Sequence, residues 1–240
     1  MVDLKEFEQK AADLRVLGMK ISIGQDTVYE KYWDEDCRRN IYSASKSFTS
    51  CAVGFAVQEG LIDLDERLMD AFKEDIPNNP DENLKKATVK DLLTMTLGQE
   101  KGFLMGKQRP RMEEQNWVKA SLAIPFVYEP GTHFVYNNVG PYLAGILVQR
   151  RAGCDLLSYL TPRLLKPLGI RKTIWEVDPE GNTFGAGGLF LTVSELHKLG
   201  MFYLQNGCWN GKKLLSKEWI HVSTRKQVKN LKKSYGYGYF

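Results

Sequence analysis

The chain has 240 residues, 43% hydrophobic and 26% charged, enough apolar material to bury a core in one or two domains. It contains no run of eighteen apolar residues, and its start, MVDLKEFEQKAADLRV, is a charged amphipathic pattern, not a basic segment leading into an apolar one. The expectation is therefore a cytoplasmic globular protein with no membrane partner. The net charge of +4 is unevenly spread: residues 198–233 carry nine Lys or Arg against Glu218 alone, and the rest of the chain is net acidic. Such a stretch can follow nucleic acid, but no aromatic residue is interleaved among the lysines from 225 to 233, so a solvated basic face is expected and no nucleic-acid partner.

In chain order, a helix is predicted over about 3–15. MKISIG and TVYEKYW then alternate as strands do around Gln25 and Asp26, which reads as a hairpin. From Ser43 to Glu59, Ala44, Phe48, Cys51, Ala52 and Phe55 recur at helical spacing, with Gly60 as the stop. Residues 61–175 hold further helical stretches interrupted by NNP, GKQRP and EPG, a mostly helical lobe. NTFGAGGLFLTVSELHKLGMFYLQNG reads as a strand running into a helix whose start carries the Thr192 and Glu195 capping-box pattern. The closing SYGYGYF alternates as a strand can. Cys37, Cys51, Cys154 and Cys208 are scattered, without metal-ligand spacing to His133, His197 or His221, and read as free thiols; no metal or organic cofactor is expected.

The stretch NIYSASKSFTS places Ser43 three residues before Lys46, the only charged residue between Ser43 and Gln58. S-x-x-K alone is a weak pattern, and Ser223 with Lys226 matches it again among charged neighbours. What separates Lys46 is the apolar circumference of its helix, because a buried lysine must be paired or neutral. Three residues apart at a helix start, serine and lysine share a face. Burial and the positive end of the helix dipole both disfavour the ammonium, which makes the lysine a usable base for a hydroxyl that is a poor nucleophile unaided. The bland alternative is an N-cap serine with a lysine that snorkels to water.

Farther on, PGTHFVYNNVGPYLAGILVQRRAG sets Tyr136 and Asn138 in a Y-x-N spacing just before an apolar helix. Read alone, Asn137 or Asn138 is an N-cap and Tyr136 is core. Taken together, SASKSFTS, DLLTMTLG, PGTHFVYNN, PLGI with a following tryptophan, and GAGGLFLTVSEL stand in an order that resembles the serine β-lactamase and penicillin-binding-protein family, nearest its class C-like branch with esterases, D-amino-acid peptidases and aminohexanoate-oligomer hydrolases. The resemblance covers residues from about 18 to 240. It implies an α+β fold, an antiparallel sheet flanked by helices, with residues 1–60 and 176–240 in the sheet lobe and 61–175 inserted as the helical lobe. It also implies that Ser43 is the acyl-accepting nucleophile, Lys46 its base, Tyr136 a proton relay and Asn138 a substrate-positioning amide, acting on a small-molecule amide or ester.

Two departures accompany the resemblance. Met95 stands where the family commonly has a histidine, and no Lys- or His-x-Gly triplet on a late strand follows GAGGLFLT. The expectation is a chain lacking its last strands, with impaired turnover and a sheet edge near residues 18–33 and 235–240 free for self-association. The competing reading is a non-catalytic binding or interaction module on the same scaffold.

Overall fold

The computed structural model describes residues 4–11, 13–230 and 236–238. Helix α1 (Lys5–Ala11) is shorter than the expected 3–15. Its end is a closing turn: Arg15 takes a left-handed φ of 53° and the Val16 N–H reaches back to the Ala11 carbonyl at 2.9 Å. Strands β1 (Gly18–Ile23) and β2 (Asp26–Tyr32) form the expected antiparallel hairpin, but its two turn residues are Gly24 and Gln25, because only glycine meets the φ of 62° at the first position without strain. Glu8 fastens α1 to this hairpin by accepting from Tyr29 Oη and Lys31 Nζ, both at 2.6 Å.

The short strand β3 (Arg39–Asn40) leads through a 3-10 turn, Tyr42–Ala44, into α2 (Ser45–Gln58). Between residues 61 and 175 the elements are helical: α3 (Leu68–Ala71), α4 (Glu82–Lys86), α5 (Val89–Leu93), a 3-10 turn at Arg109–Arg111, α6 (Trp117–Leu122), α7 (Val139–Ala152) and α8 (Leu156–Leu160), which runs into a π-turn at Thr161–Leu165. The chain then gives β4 (Phe190–Leu191), α9 (Val193–Leu204), β5 (Cys208–Trp209), β6 (Lys212–Lys213), α10 (Lys217–Thr224), β7 (Val228–Lys229) and β8 (Gly236–Tyr237). The capping box at the head of α9 forms as read, with Thr192 Oγ1 accepting from Glu195 N–H and Glu195 Oε2 from Thr192 N–H, each at 3.1 Å.

Among the described residues the strands pair as four two-stranded antiparallel ladders, β1 with β2, β3 with β4, β5 with β6 and β7 with β8. Residues 18–33 and 235–240, expected to lie at one sheet edge, fall in separate ladders as far as the second segment is described. Val228 and Lys229 lie immediately beside Gly236 and Tyr237 and pair with them. Residues 235, 239 and 240 lie outside the described residues.

Helix α2 is the centre of the core. With a single charge in fourteen residues it is apolar all round, and Phe48, Cys51, Ala52, Val53 and Ala56 are fully buried as it packs on α7 and α8. Two glycines allow close approach to other neighbours, Gly54 of α2 to α10 and Gly140 of α7 to α5. A Cβ on Gly54 would lie 2.4 Å from the Trp219 ring nitrogen of α10, and one on Gly140 of α7 would lie 2.3 Å from the Leu92 carbonyl oxygen of α5. Among the described residues no helix is long and apolar enough to cross a membrane.

Candidate active site

The four residues singled out by spacing come together at the head of α2. Ser43 lies in the 3-10 turn, one step before the α2 N-cap position held by Ala44, and its side chain is exposed. It is not itself the N-cap, because Ser45 ties the turn down instead: its Oγ donates to the Tyr42 carbonyl at 2.6 Å and accepts from Leu189 N–H at 3.1 Å. The preceding residue, Tyr42, has a left-handed φ of 47°. That conformation costs a non-glycine residue about 1–2 kcal/mol, so the contacts around it must hold it in place.

Below Ser43, Lys46 is 2% exposed. Its Nζ donates to Ser43 Oγ at 3.1 Å, to Asn138 Oδ1 at 2.8 Å and to the Ala186 carbonyl at 2.5 Å. Burial first, and the Arg109 guanidinium second, bring its pKa down from 10.5 to about 7. The lysine does not snorkel to water. Near neutral pH it divides between ammonium and free amine, the condition a general base needs.

Tyr136 is 41% exposed, and its hydroxyl donates to Ser43 Oγ at 2.6 Å; Lys46 Nζ stands 5.3 Å from its ring centroid. The tyrosine is therefore no core residue. Its segment is clamped on two sides by backbone. Val135 N–H donates to the Met95 carbonyl at 3.0 Å and Asn138 N–H to the Phe103 carbonyl at 3.2 Å. Met95 is buried with a φ of 54°, so the loop that differs from the family pattern in its side chain still shapes the site through its main chain.

Asn138 sits at the N-cap position of α7, but the capping is done by Asn137, whose Oδ1 accepts from Gly140 N–H at 2.9 Å. This leaves the Asn138 amide for other work. Its oxygen takes Lys46, and its nitrogen donates to the Leu104 carbonyl at 2.9 Å.

Three neighbours carried no sequence signal. Arg109, from a stretch read only as a helix break, places its guanidinium carbon 4.2 Å from the Phe184 ring centroid and donates from Nη1 to Glu176 Oε2 at 3.2 Å. Glu176 Oε1 accepts from Asn40 Nδ2 at 3.2 Å, and Asn40 Oδ1 accepts from the Tyr42 N–H at 2.7 Å. These residues lie in segments far apart along the chain, and only the fold assembles them.

Comparison with known proteins places this geometry in context. A family model described as Beta-lactamase matches residues 5–240. Monacolin J acid methylbutanoyltransferase of Aspergillus terreus is 31% identical over 157 residues, covering 57% of this chain and 37% of that protein. Lovastatin esterase of Penicillium rubens is 31% identical over 150 residues, covering 53% of this chain and again 37% of the relative. The chain thus matches well under half the length of these two proteins. The octameric penicillin-binding protein homologue of Pyrococcus abyssi superposes on 99% of this chain and 64% of its own, with a TM-score of 0.79 at 22% identity, a likeness of fold.

Proposed function

The chain belongs to the beta-lactamase family, and within it we propose that this protein is a serine acyl enzyme that takes an acyl group from a small-molecule amide or ester onto Ser43. One observation carries the reading: an exposed serine oxygen stands 2.6 Å from a tyrosine hydroxyl and 3.1 Å from a buried lysine whose pKa is near 7.

In this reading the neutral Lys46 amine takes the Ser43 hydroxyl proton as Oγ bonds to the substrate carbonyl carbon. The carbonyl π electrons move onto oxygen, where the Ser43 N–H is one donor to the developing charge. As the tetrahedral intermediate collapses, the bond to the leaving amine or alcohol breaks. Tyr136 passes that group a proton, and the Lys46 ammonium returns to the tyrosinate the proton it took from Ser43. The acyl-enzyme is released when a water or an alcohol attacks the ester carbon, its proton going to the same pair, which then protonates Ser43 Oγ as the ester bond to it breaks. Water gives hydrolysis and an alcohol gives acyl transfer, and the named relatives include one esterase and one acyltransferase.

Asn138 is proposed to act chiefly on Lys46, since its amide oxygen is spent on Nζ; contact with a substrate amide requires that bond to be shared. For the second oxyanion donor, the Lys-x-Gly triplet formed by Lys198, Leu199 and Gly200 is no candidate, because it lies within α9 and not on a strand lining the site.

The test is labelling with a fluorescent penicillin or fluorophosphonate, followed by peptide mapping. The adduct is expected on Ser43. An adduct on Ser45 or Ser223 overturns the assignment, and no adduct with either reagent favours the non-catalytic binding module.

A further inference from the structure

Resting on that reading, we propose that Asn40 and Glu176 are positioning residues for acylation: the Glu176 carboxylate fixes the Asn40 side-chain amide, and that amide holds the strained turn that aims Ser43.

The argument is one of donor and acceptor inventory. Tyr42 needs an acceptor for its N–H in a left-handed conformation that the chain does not favour, and Asn40 Oδ1 supplies it at 2.7 Å. An amide has an acceptor end and a donor end, and turning it over would aim its NH2 at the Tyr42 N–H. Glu176 forbids that inversion. Its ionised carboxylate accepts only, so it can face Asn40 Nδ2, as it does at 3.2 Å, and would repel Oδ1.

Glu176 is itself anchored. Its second oxygen takes Arg109 Nη1 at 3.2 Å, and Arg109 lies on Phe184. Along the main chain, Glu176 N–H donates to the Gly188 carbonyl and the Glu176 carbonyl accepts from Phe184 N–H, both at 2.9 Å. Gly188, with φ 81°, leaves the space this needs, because a Cβ there would lie 2.4 Å from Glu176 Cβ. The segment 184–188 that Glu176 grips includes Ala186, whose carbonyl accepts from Lys46. Nucleophile turn and base are thus referred to one anchor, the kind of orientation control on which attack geometry depends.

The test is an amide–carboxylate exchange on the full chain. Fluorophosphonate labelling of Ser43 is followed over a concentration series, separating the maximal rate from half-saturation, with thermal unfolding in parallel. Asn40→Asp sets two carboxylates against each other, and its maximal rate should fall about tenfold or more while half-saturation moves less than about twofold. Asn40→Asp combined with Glu176→Gln keeps an acceptor for Tyr42 N–H and restores a donor between the two side chains, and should recover to within roughly threefold of the parent. Glu176→Ala, which frees the amide to turn, should show the same loss as Asn40→Asp and serves if that variant does not fold. Parent-like labelling in Asn40→Asp or Glu176→Ala overturns the proposal, as does a double variant no faster than Asn40→Asp. A parent that does not label at Ser43 overturns the acyl-enzyme reading and this proposal with it; a labelled parent with indifferent variants overturns this proposal alone.

Discussion

The S-x-x-K spacing occurs twice in this molecule, and the two copies are built in opposite ways. At the head of α2 the serine is exposed and the lysine buried. At the tail of α10 the burial is inverted: Ser223 is buried, its hydroxyl donating to the Ile220 carbonyl at 3.1 Å, and Lys226 is exposed. The helix dipole is opposed as well, since its positive end works against an ammonium at Lys46 and its negative end favours one near Lys226. A shared spacing therefore carries no chemistry by itself. What distinguishes the first copy is an exposed hydroxyl over a buried amine, the pair proposed as nucleophile and base.

The sharpest way to break this contrast is to remove each serine. Ser43→Ala should abolish covalent labelling, whereas Ser223→Ala should label at the parent rate. Next in size is the lysine. Arginine keeps the charge but has no accessible neutral form, so Lys46→Arg should slow acylation by roughly a thousandfold, within the span of general-base effects, and Lys226→Arg should leave it unchanged. If Lys46→Arg labels like the parent, the buried lysine is structural and the two copies differ in packing only. Tyr136→Phe comes third. It removes the proposed proton relay but spares the proposed nucleophile and base, and should cost about a hundredfold, more with poor leaving groups than with activated ones. A loss independent of the leaving group would assign Tyr136 to holding Ser43 in place.

The smallest effects are in pH. With a Lys46 pKa of about 7, acylation should rise as protons leave the ammonium and level off above neutrality. It should be roughly tenfold slower at pH 6 than on the plateau. Stability follows with a definite sign. The unfolded chain holds the Lys46 proton up to about 10.5 and the folded chain only to about 7, so between these values folding releases a proton and stability rises with pH. The burial penalty is full below 7 and relieved above 10.5. Urea unfolding of the parent and Lys46→Met should show the parent gaining on the variant by at most about 1.4 kcal/mol per pH unit across that window. A pH-independent difference would mean that the lysine stays charged inside the fold.

How much of this was legible in the sequence depended on how local the signal was. The hairpin at 18–32, the α9 capping box and the isolation of Lys46 in an apolar helix are encoded within a few residues of one another, and all three appear in the structure. α2 starts two residues later than its apolar spacing predicts because Tyr42–Ala44 form a 3-10 turn that Ser45 ties to the Tyr42 carbonyl and to Leu189, a partner no local pattern can reveal. Asn40, Arg109 and Glu176 were missed for the same reason. Each is an ordinary polar residue in its own stretch, and its role exists only after segments near 40, 109 and 176 converge. Met95 shows the converse. Its side chain departs from the family pattern, yet its carbonyl makes the bond that holds Val135, and a carbonyl is indifferent to residue type.

The three acceptors around Lys46 Nζ also bear on the order in which the protein assembles. One is Ser43, three residues away, but Asn138 and Ala186 lie 92 and 140 residues farther along the chain. Helices such as α2 and α7 draw on contacts within a few turns, while the lysine cluster closes only after long loops have been brought together against their entropy. During refolding, helical content should therefore return before Ser43 becomes reactive. A chain with native-like circular dichroism can still be chemically silent, and labelling of Ser43 would report the long-range docking that completes the proposed site.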